Sequence, residues 1–140
     1  MQKLLDATET TGRLLQHGAT LGGIFLLIIA MALFGQQRGF SMLGAVALAL
    51  GLIAIFCGLR VKIRWEVPYK GHTIRFENDG MVGEKLFIDG QQVARGGLGF
   101  RMVLAGQIQD GEGAGDRIEA VSYAGLLEFR CEITAYPAGK

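Results

Sequence analysis

Three sets of residues in this chain have the chemical types that catalysis or metal binding uses. The first is Asp110-Gly111-Glu112-Gly113-Ala114-Gly115-Asp116, three carboxylates on a glycine-rich backbone. A calcium loop needs a fixed succession of oxygen ligands over about twelve residues, and this spacing does not supply it. A phosphate cradle needs glycines that lead into a Lys or a helix start, and neither follows. The segment therefore reads as a solvated connection between strands. The second set is the two thiols and the third the two histidines. Cys57 lies in an apolar run and Cys131 in an alternating strand pattern, whereas His17 precedes the apolar run and His72 sits beside a hairpin turn. A thiol nucleophile needs a base at hand, and neither cysteine has one. The same separation gives no disulfide framework. The expectation is a non-enzymatic chain with no catalytic residue, no metal site, no cofactor and no identifiable small-molecule substrate.

The elements that position these residues follow from where the hydrophobicity lies. Half of the 140 residues are hydrophobic, too many for an ordinary soluble domain. Between Arg13 and Arg60 the only ionisable side chains are His17 and Arg38, whereas residues 60–140 carry eleven Lys/Arg and eleven Asp/Glu. That second part is electrically neutral and has no surplus of cations for nucleic acid.

Crossing a bilayer takes roughly 20 apolar residues, within a range of about 17–25. Residues 18–34 and 39–59 meet that length, and Gln36, Gln37, Arg38 and Gly39 leave room only for an antiparallel hairpin. A β-domain of the remaining size could not cover two helices that are apolar all round, so a transmembrane hairpin is expected, with the lipid bilayer as a partner. Ala30-Met31-Ala32 has the form of a signal-peptidase site. A leader ending there would be long and would contain Asp6 and Glu9, so the first helix is taken as retained. Lys3, Arg13, Arg60, Lys62, Arg64, Lys70 and Arg75 flank the outer ends of the spans, against Arg38 alone at the tip. By the positive-inside rule both termini are cytoplasmic, in the plasma (inner) membrane.

Gly44, Ala47, Gly51, Ala54 and Gly58 recur at spacings of three and four along the second span. Small residues on one helical stripe permit close backbone approach, a main route to helix packing in lipid. The stripe faces either the first helix, through Gly22, Gly23 and Ala30, or another subunit; the chain itself or another membrane protein is the expected partner. The spans offer only Thr20, Ser41 and Cys57 as polar groups, which argues against active transport. Arg60, Lys62, Arg64 and Trp65 form a candidate membrane-interface group. Residues 1–17 read as a tail, with Leu4, Leu5, Thr8, Leu14 and Leu15 able to line an interfacial helix.

From Val61 the hydrophobic period becomes two, the mark of half-buried strands. A turn at Lys70-Gly71 would set Trp65 opposite Phe76, Glu66 opposite Arg75, Arg64 opposite Glu77 and Lys62 opposite Asp79. A turn at Asp89-Gly90 would set Leu86 against Val93 and Glu84 against Arg95. A turn at Ala124-Gly125 would set Ile118 against Cys131, Ala120 against Phe129, Glu119 against Arg130 and Arg117 against Glu132. With residues 100–108, about seven strands form an all-β antiparallel domain, either a sandwich or a partly closed barrel. Trp65-Glu66-Val67, His72-Thr73-Ile74-Arg75-Phe76-Glu77 and Leu86-Phe87-Ile88-Asp89-Gly90 together resemble the strand-turn pattern of Fas apoptotic inhibitory molecule domains. The resemblance covers residues 65–90 and implies a non-enzymatic β-sandwich that works through protein contacts; that family has no membrane hairpin.

The expected function is a membrane-anchored interaction module or accessory subunit that self-associates through the hairpin. The alternative is a ligand-sensing effector whose β-domain controls oligomerisation and membrane perturbation or pore formation. A constitutive channel is a third reading, weakened by the scarcity of polar residues to line a pore.

Overall fold

The computed structural model describes residues 1–36, 42–97, 99–125 and 128–139. They form two compact units, Leu14–Val61 and the combination of Met1–Arg13 with Lys62–Lys140. In chain order the elements are β1 (Gln2–Glu9), α1 (Thr11–Gln36), α2 (Met42–Leu59), β2 (Lys62–Tyr69), β3 (His72–Asp79), β4 (Gly83–Ile88), β5 (Gln91–Arg95), β6 (Arg101–Gln107), β7 (Arg117–Ala124) and β8 (Phe129–Tyr136). Two apolar helices and two four-stranded antiparallel sheets, ordered β1-β8-β7-β6 and β2-β3-β4-β5, make up the fold.

The first strand is a correction to the expected tail. Residues 2–9 pair along β8 from Gln2↔Ala135 to Glu9↔Phe129 and form no interfacial helix. Leu4-Leu5 breaks the period-two pattern that would have marked a strand. A register shift between Lys3 and Leu5 absorbs the extra residue, so that both leucines lie against the core, as a bulge allows. Charge completes the match: Asp6 takes a forked pair of hydrogen bonds from Arg130 at 3.0 and 2.9 Å. Where β1 gives way to α1, the Glu9 carboxylate accepts from Gly12 N at 2.9 Å, satisfying one of the donors that a helix start leaves over. The helix thus begins at Thr11 rather than Gly18. The expected turn residues Gln37, Arg38 and Gly39, like Ser41, lie outside the described residues.

The β2–β3 register is the expected one throughout, from Lys62↔Asp79 to Val67↔Ile74. The β4–β5 hairpin turns at Asp89-Gly90, with positive φ at both residues, but its register slips by one between Leu86 and Phe87, giving Leu86↔Ala94 and Lys85↔Arg95. The bulged residue is Val93. It packs on the core in space that a Cβ at Gly106 would need, so an apolar contact outweighs the expected Glu84–Arg95 pairing.

The β7–β8 register differs by four residues, with Ile118↔Ala135, Ala120↔Ile133 and Ala124↔Phe129 in place of the pairs centred on Ala124-Gly125. Gly125 N bonds Glu128 O at 2.9 Å, closing a longer connection. An even shift keeps every side chain on its face, so Ile118, Ala120 and Cys131 are all fully buried. Arg130 and Glu132 find their partners on β1, through Asp6 and Lys3.

The two sheets enclose one core and do not close into a barrel. Phe76, Phe129, Ile74, Leu86, Ile118 and Ile133 are fully buried within it. Phe129 of one sheet meets Trp65 and Phe76 of the other at ring separations of 5.7 and 6.2 Å. Leu5→Asp in the full chain is expected to destabilise this unit by about 2 kcal/mol, the effect of a charge set against an apolar core. Denaturation followed by Trp65 fluorescence measures it; an unchanged midpoint would mean that β1 adds nothing to the core.

Candidate functional site

Four clusters of residues are candidates for function. The first is the seam between the helices. Gly44, Gly51 and Gly58 are buried, and Ala47 and Ala54 are half-buried. A Cβ on Gly51 would stand 2.8 Å from Gly23 O, and a Cβ on Gly23 only 2.6 Å from Gly51 O. Gly58 comes equally close to Thr20 Oγ1 and Gln16 O, and Gly44 lies against the Phe34 ring. The stripe on α2 is therefore occupied by α1 of the same chain, with Ala30 fully buried beside it. Gly22, expected in the same seam, faces away with nothing within 4 Å of its Cβ position. The outward sides carry large apolar residues instead, among them Phe25, Ile28 and Met31 on α1 and Leu43, Ile53 and Phe56 on α2, all exposed.

The second cluster is the proposed interface group, which the structure divides. Lys62 pairs with Asp79 at 3.0 Å and the Arg60 guanidinium lies 4.6 Å from the Phe56 ring centroid. Arg64 belongs to a ladder on the outer face of β2 and β3, paired with Glu66 and, at 3.8 Å, with Glu77. Trp65 points the other way, onto Phe76 and Phe129. The period-two alternation that made it a strand residue also took it to the core, so its ring is a packing element.

The third cluster ties the 110–116 loop to the hairpin turns. His72 is buried between Asp89 Oδ2, 2.5 Å from Nδ1, and the Glu112 carbonyl, 3.1 Å from Nε2. Both partners only accept, so both contacts are hydrogen bonds when the ring carries two protons. The Asp89 carboxylate accordingly raises the imidazole above its ordinary value, against the opposing effect of burial and with help from the Glu112 carbonyl. Asp116 is buried and takes bonds from Lys70 Nζ at 2.9 Å, Ala138 N at 2.8 Å and Tyr69 Oη at 2.9 Å. Lys70 first, then the Ala138 amide, hold its carboxyl down to about 2. The loop read as merely solvated is in fact clasped, and Asp116, spent on three donors, is not a spare ligand. Among the described residues no group of three His, Cys, Asp or Glu side chains is gathered as metal ligands would be.

The fourth cluster lies inside the sandwich. Glu84 is buried, with Ser122 Oγ 2.7 and 2.6 Å from its two oxygens. A serine hydroxyl has one proton to donate, so the second short contact is a hydrogen bond when Glu84 is protonated. Burial raises the Glu84 carboxyl, with Ser122 opposing it, as desolvation of a carboxylate requires. Cys131, opposite Ser122 in the register, has its thiol pushed far up by burial and then by the nearby Glu84. A hydroxyl, a carboxyl and a thiol thus meet where substrate has no access. Glu84 lies on the same inward parity of β4 as Leu86 and Ile88; pairing it with Arg95 treats it as a surface charge, whereas its partner Ser122 lies on the other sheet.

Two kinds of substitution test these sites. Gly51→Leu should cost the helix pair about 1–3 kcal/mol by overpacking, read as a lower threshold for loss of helix–helix contact in a micellar denaturation series. The charged clusters set pH dependence. His72 is raised in the fold, so its contribution is full below its ordinary 6.5 and is lost as pH rises through the higher folded value. The stability gap between wild type and His72→Gln should therefore shrink above pH 6.5. Glu84 is raised above 4.5, so it weakens the fold as pH rises from there, and Glu84→Gln should gain on wild type between pH 5 and 8 in equilibrium denaturation. No family model, curated protein or solved structure matches the chain, and the reading of its function rests on these residues.

Proposed function

We propose that the chain is a non-enzymatic interaction module anchored in the cytoplasmic membrane by its two helices, with the β-unit and both termini in the cytoplasm. One observation carries the reading: the small-residue faces of α1 and α2 are spent on each other, and the outward faces left over are large, apolar and exposed. Thr11–Gly35 and Met42–Leu59 have mean hydropathies of 2.2 and 2.5, and at about 1.5 Å per residue both lengths suit a hydrocarbon layer of about 30 Å. Lipid is the solvent such surfaces suit.

Chain connectivity supports two crossings. β1 precedes the helices and β2 follows them, yet both belong to one folded unit, so the chain must return to the side it left. The excess of Lys and Arg flanking these ends favours the cytoplasmic side. With the Gly51 seam filled from within, self-association would use the outer helix faces, where Gly18 and Gly22 have nothing within 4 Å of their Cβ positions. The resemblance of residues 65–90 to domains that act by protein contact points the same way. Membranes washed at alkaline pH should retain the chain, and native mass measurement in mild detergent should find more than a monomer. Release by the wash overturns the anchor; a strict monomer with no partner recovered by crosslinking overturns the module.

A cleft of about 300 Å³ favours a second reading, the ligand-sensing effector. It has an apolar floor of Ile88, Val93 and Ile108 and a polar rim that includes Gln91, Gln109 and Asp110, the mix that small-molecule sites use. Leakage from liposomes that depends on added cytoplasmic extract would support it, and no leakage with or without extract would remove it.

A further inference from the structure

The two ends of the β-sandwich differ in a way that neither the anchor nor the core requires. Register places Lys62, Asp79, Gly83, Arg95, Arg101, Ala124 and Phe129 at one end, which is also where β1 runs out at Glu9 toward α1 and where β2 begins after α2. The connections there are 80–82, 96–100 and 125–128; those at the opposite end are 70–71, 89–90 and 108–116.

The opposite end is polar and acidic, with Asp89, Asp110, Glu112 and Asp116 against Lys70. The end where β1 runs out and β2 begins carries apolar side chains at its loop tips. Met81 is 52% exposed, Val82 is exposed beside it, and Phe100 is 89% exposed, the most solvent-accessible large apolar side chain among the described residues. Charged side chains of both signs surround them, with Glu128 beside Phe100. Arg95 and Arg101 are exposed and enter no ion pair among the described residues, and the Arg101 guanidinium lies 5.7 Å from the Tyr123 ring centroid. Lys62, on the same rim, is paired with Asp79. Apolar and aromatic tips with two exposed arginines beside them are a composition that suits the boundary between headgroups and acyl chains.

We propose that this end of the sandwich is a second membrane contact, with Met81, Val82 and Phe100 entering the headgroup region and Arg95 and Arg101 engaging acidic lipid headgroups. The occupant is a lipid surface for two reasons. The chain leaves for α1 and returns from α2 at this same end, so under the membrane reading on which the proposal rests the bilayer is the nearest surface to it. The two exposed arginines also complement the anionic cytoplasmic leaflet. Docking would hold the β-unit by its loops as well as by its two covalent links, and would leave the 300 Å³ cleft and the His72 clasp turned away from lipid.

The test uses the full chain in vesicles of phosphatidylcholine with phosphatidylglycerol, in a Trp65→Phe background. Single reporters are Phe100→Trp at the proposed contact, Gln109→Trp at the opposite end and Phe25→Trp on the outer face of α1. Met81→Trp is a second contact reporter should Phe100→Trp fail to fold. Lipids brominated high in the acyl chain should cut emission from positions 25 and 100 at least twofold and leave position 109 unchanged. Arg95→Glu with Arg101→Glu should restore the emission at 100 without altering that at 25. Quenching at 25 with water-like, unquenched emission at 100 overturns docking and leaves the anchor standing. Blue-shifted but unquenched emission at 100 means that protein covers this end, which also overturns it. Absence of quenching at 25 removes the membrane reading and docking with it.

Discussion

The pairing of β1 with β8 brings together residues 124 positions apart, as in the Arg130–Asp6 hydrogen bonds, and the order of the whole molecule depends on it. The strand that precedes the helices forms the edge of a sheet whose other three members all follow them. The helices are thus an insertion in a β-sandwich rather than a segment placed ahead of one. Two constraints result. The sandwich cannot complete its first sheet until the last strand is available, a contact of high sequence separation and correspondingly slow closure. The chain also has to leave and re-enter the β-unit within a few residues of its edge strands, with only Thr10 between β1 and α1, and Arg60 and Val61 between α2 and β2.

That arrangement gives the two ends of the sandwich different chemistry. At the end with the 70–71, 89–90 and 108–116 connections, polar groups are consumed in pinning backbone: His72 bridges Asp89 and the Glu112 carbonyl, and Asp116 gathers Lys70, Tyr69 and the Ala138 amide. Asp89 and Asp116 are stabilised as anions by donors, and the His72 imidazole as a cation by acceptors. Inside the sandwich the logic reverses. Glu84 has only a hydroxyl to face and is favoured as the neutral acid, which couples the sandwich to pH from within. The His72–Asp89 contact and the buried acid both lose strength as pH rises, by different routes, whereas the Asp116 contacts are lost only as pH falls toward its lowered value.

Much of this was legible in the sequence where a pattern is local. The Lys70-Gly71 turn carries its register intact, because β2 and β3 are adjacent in the chain and four cross-strand pairs agree on one alignment. The parity of Ile118, Ala120 and Cys131 was legible for the same reason, and survived a four-residue error in register because four is even. The helical hairpin and its glycine stripe followed from composition and spacing. What escaped was non-local. Leu4-Leu5 has no strand period until β8 is there to impose a bulge, and Arg130 and Glu132 invited pairing with Glu119 and Arg117 only while β1 was missing from the account. Trp65 suits an interface by its neighbours in sequence, whereas its neighbours in space are Phe76 and Phe129.

By itself, then, the sequence determined the apolar helices, the alternating strands that follow them and the inward side of β2, β3, β7 and β8, because these depend on hydrophobic periodicity over a few residues. Only the tertiary structure decided which strand lies beside which, that α1 rather than another chain fills the glycine seam, and that a serine and a glutamic acid share a proton network in the core. The physical reason is that each of these choices is a competition between partners distant in sequence. It is settled by bulges, close backbone approach and charge pairs that exist only once both partners are in place.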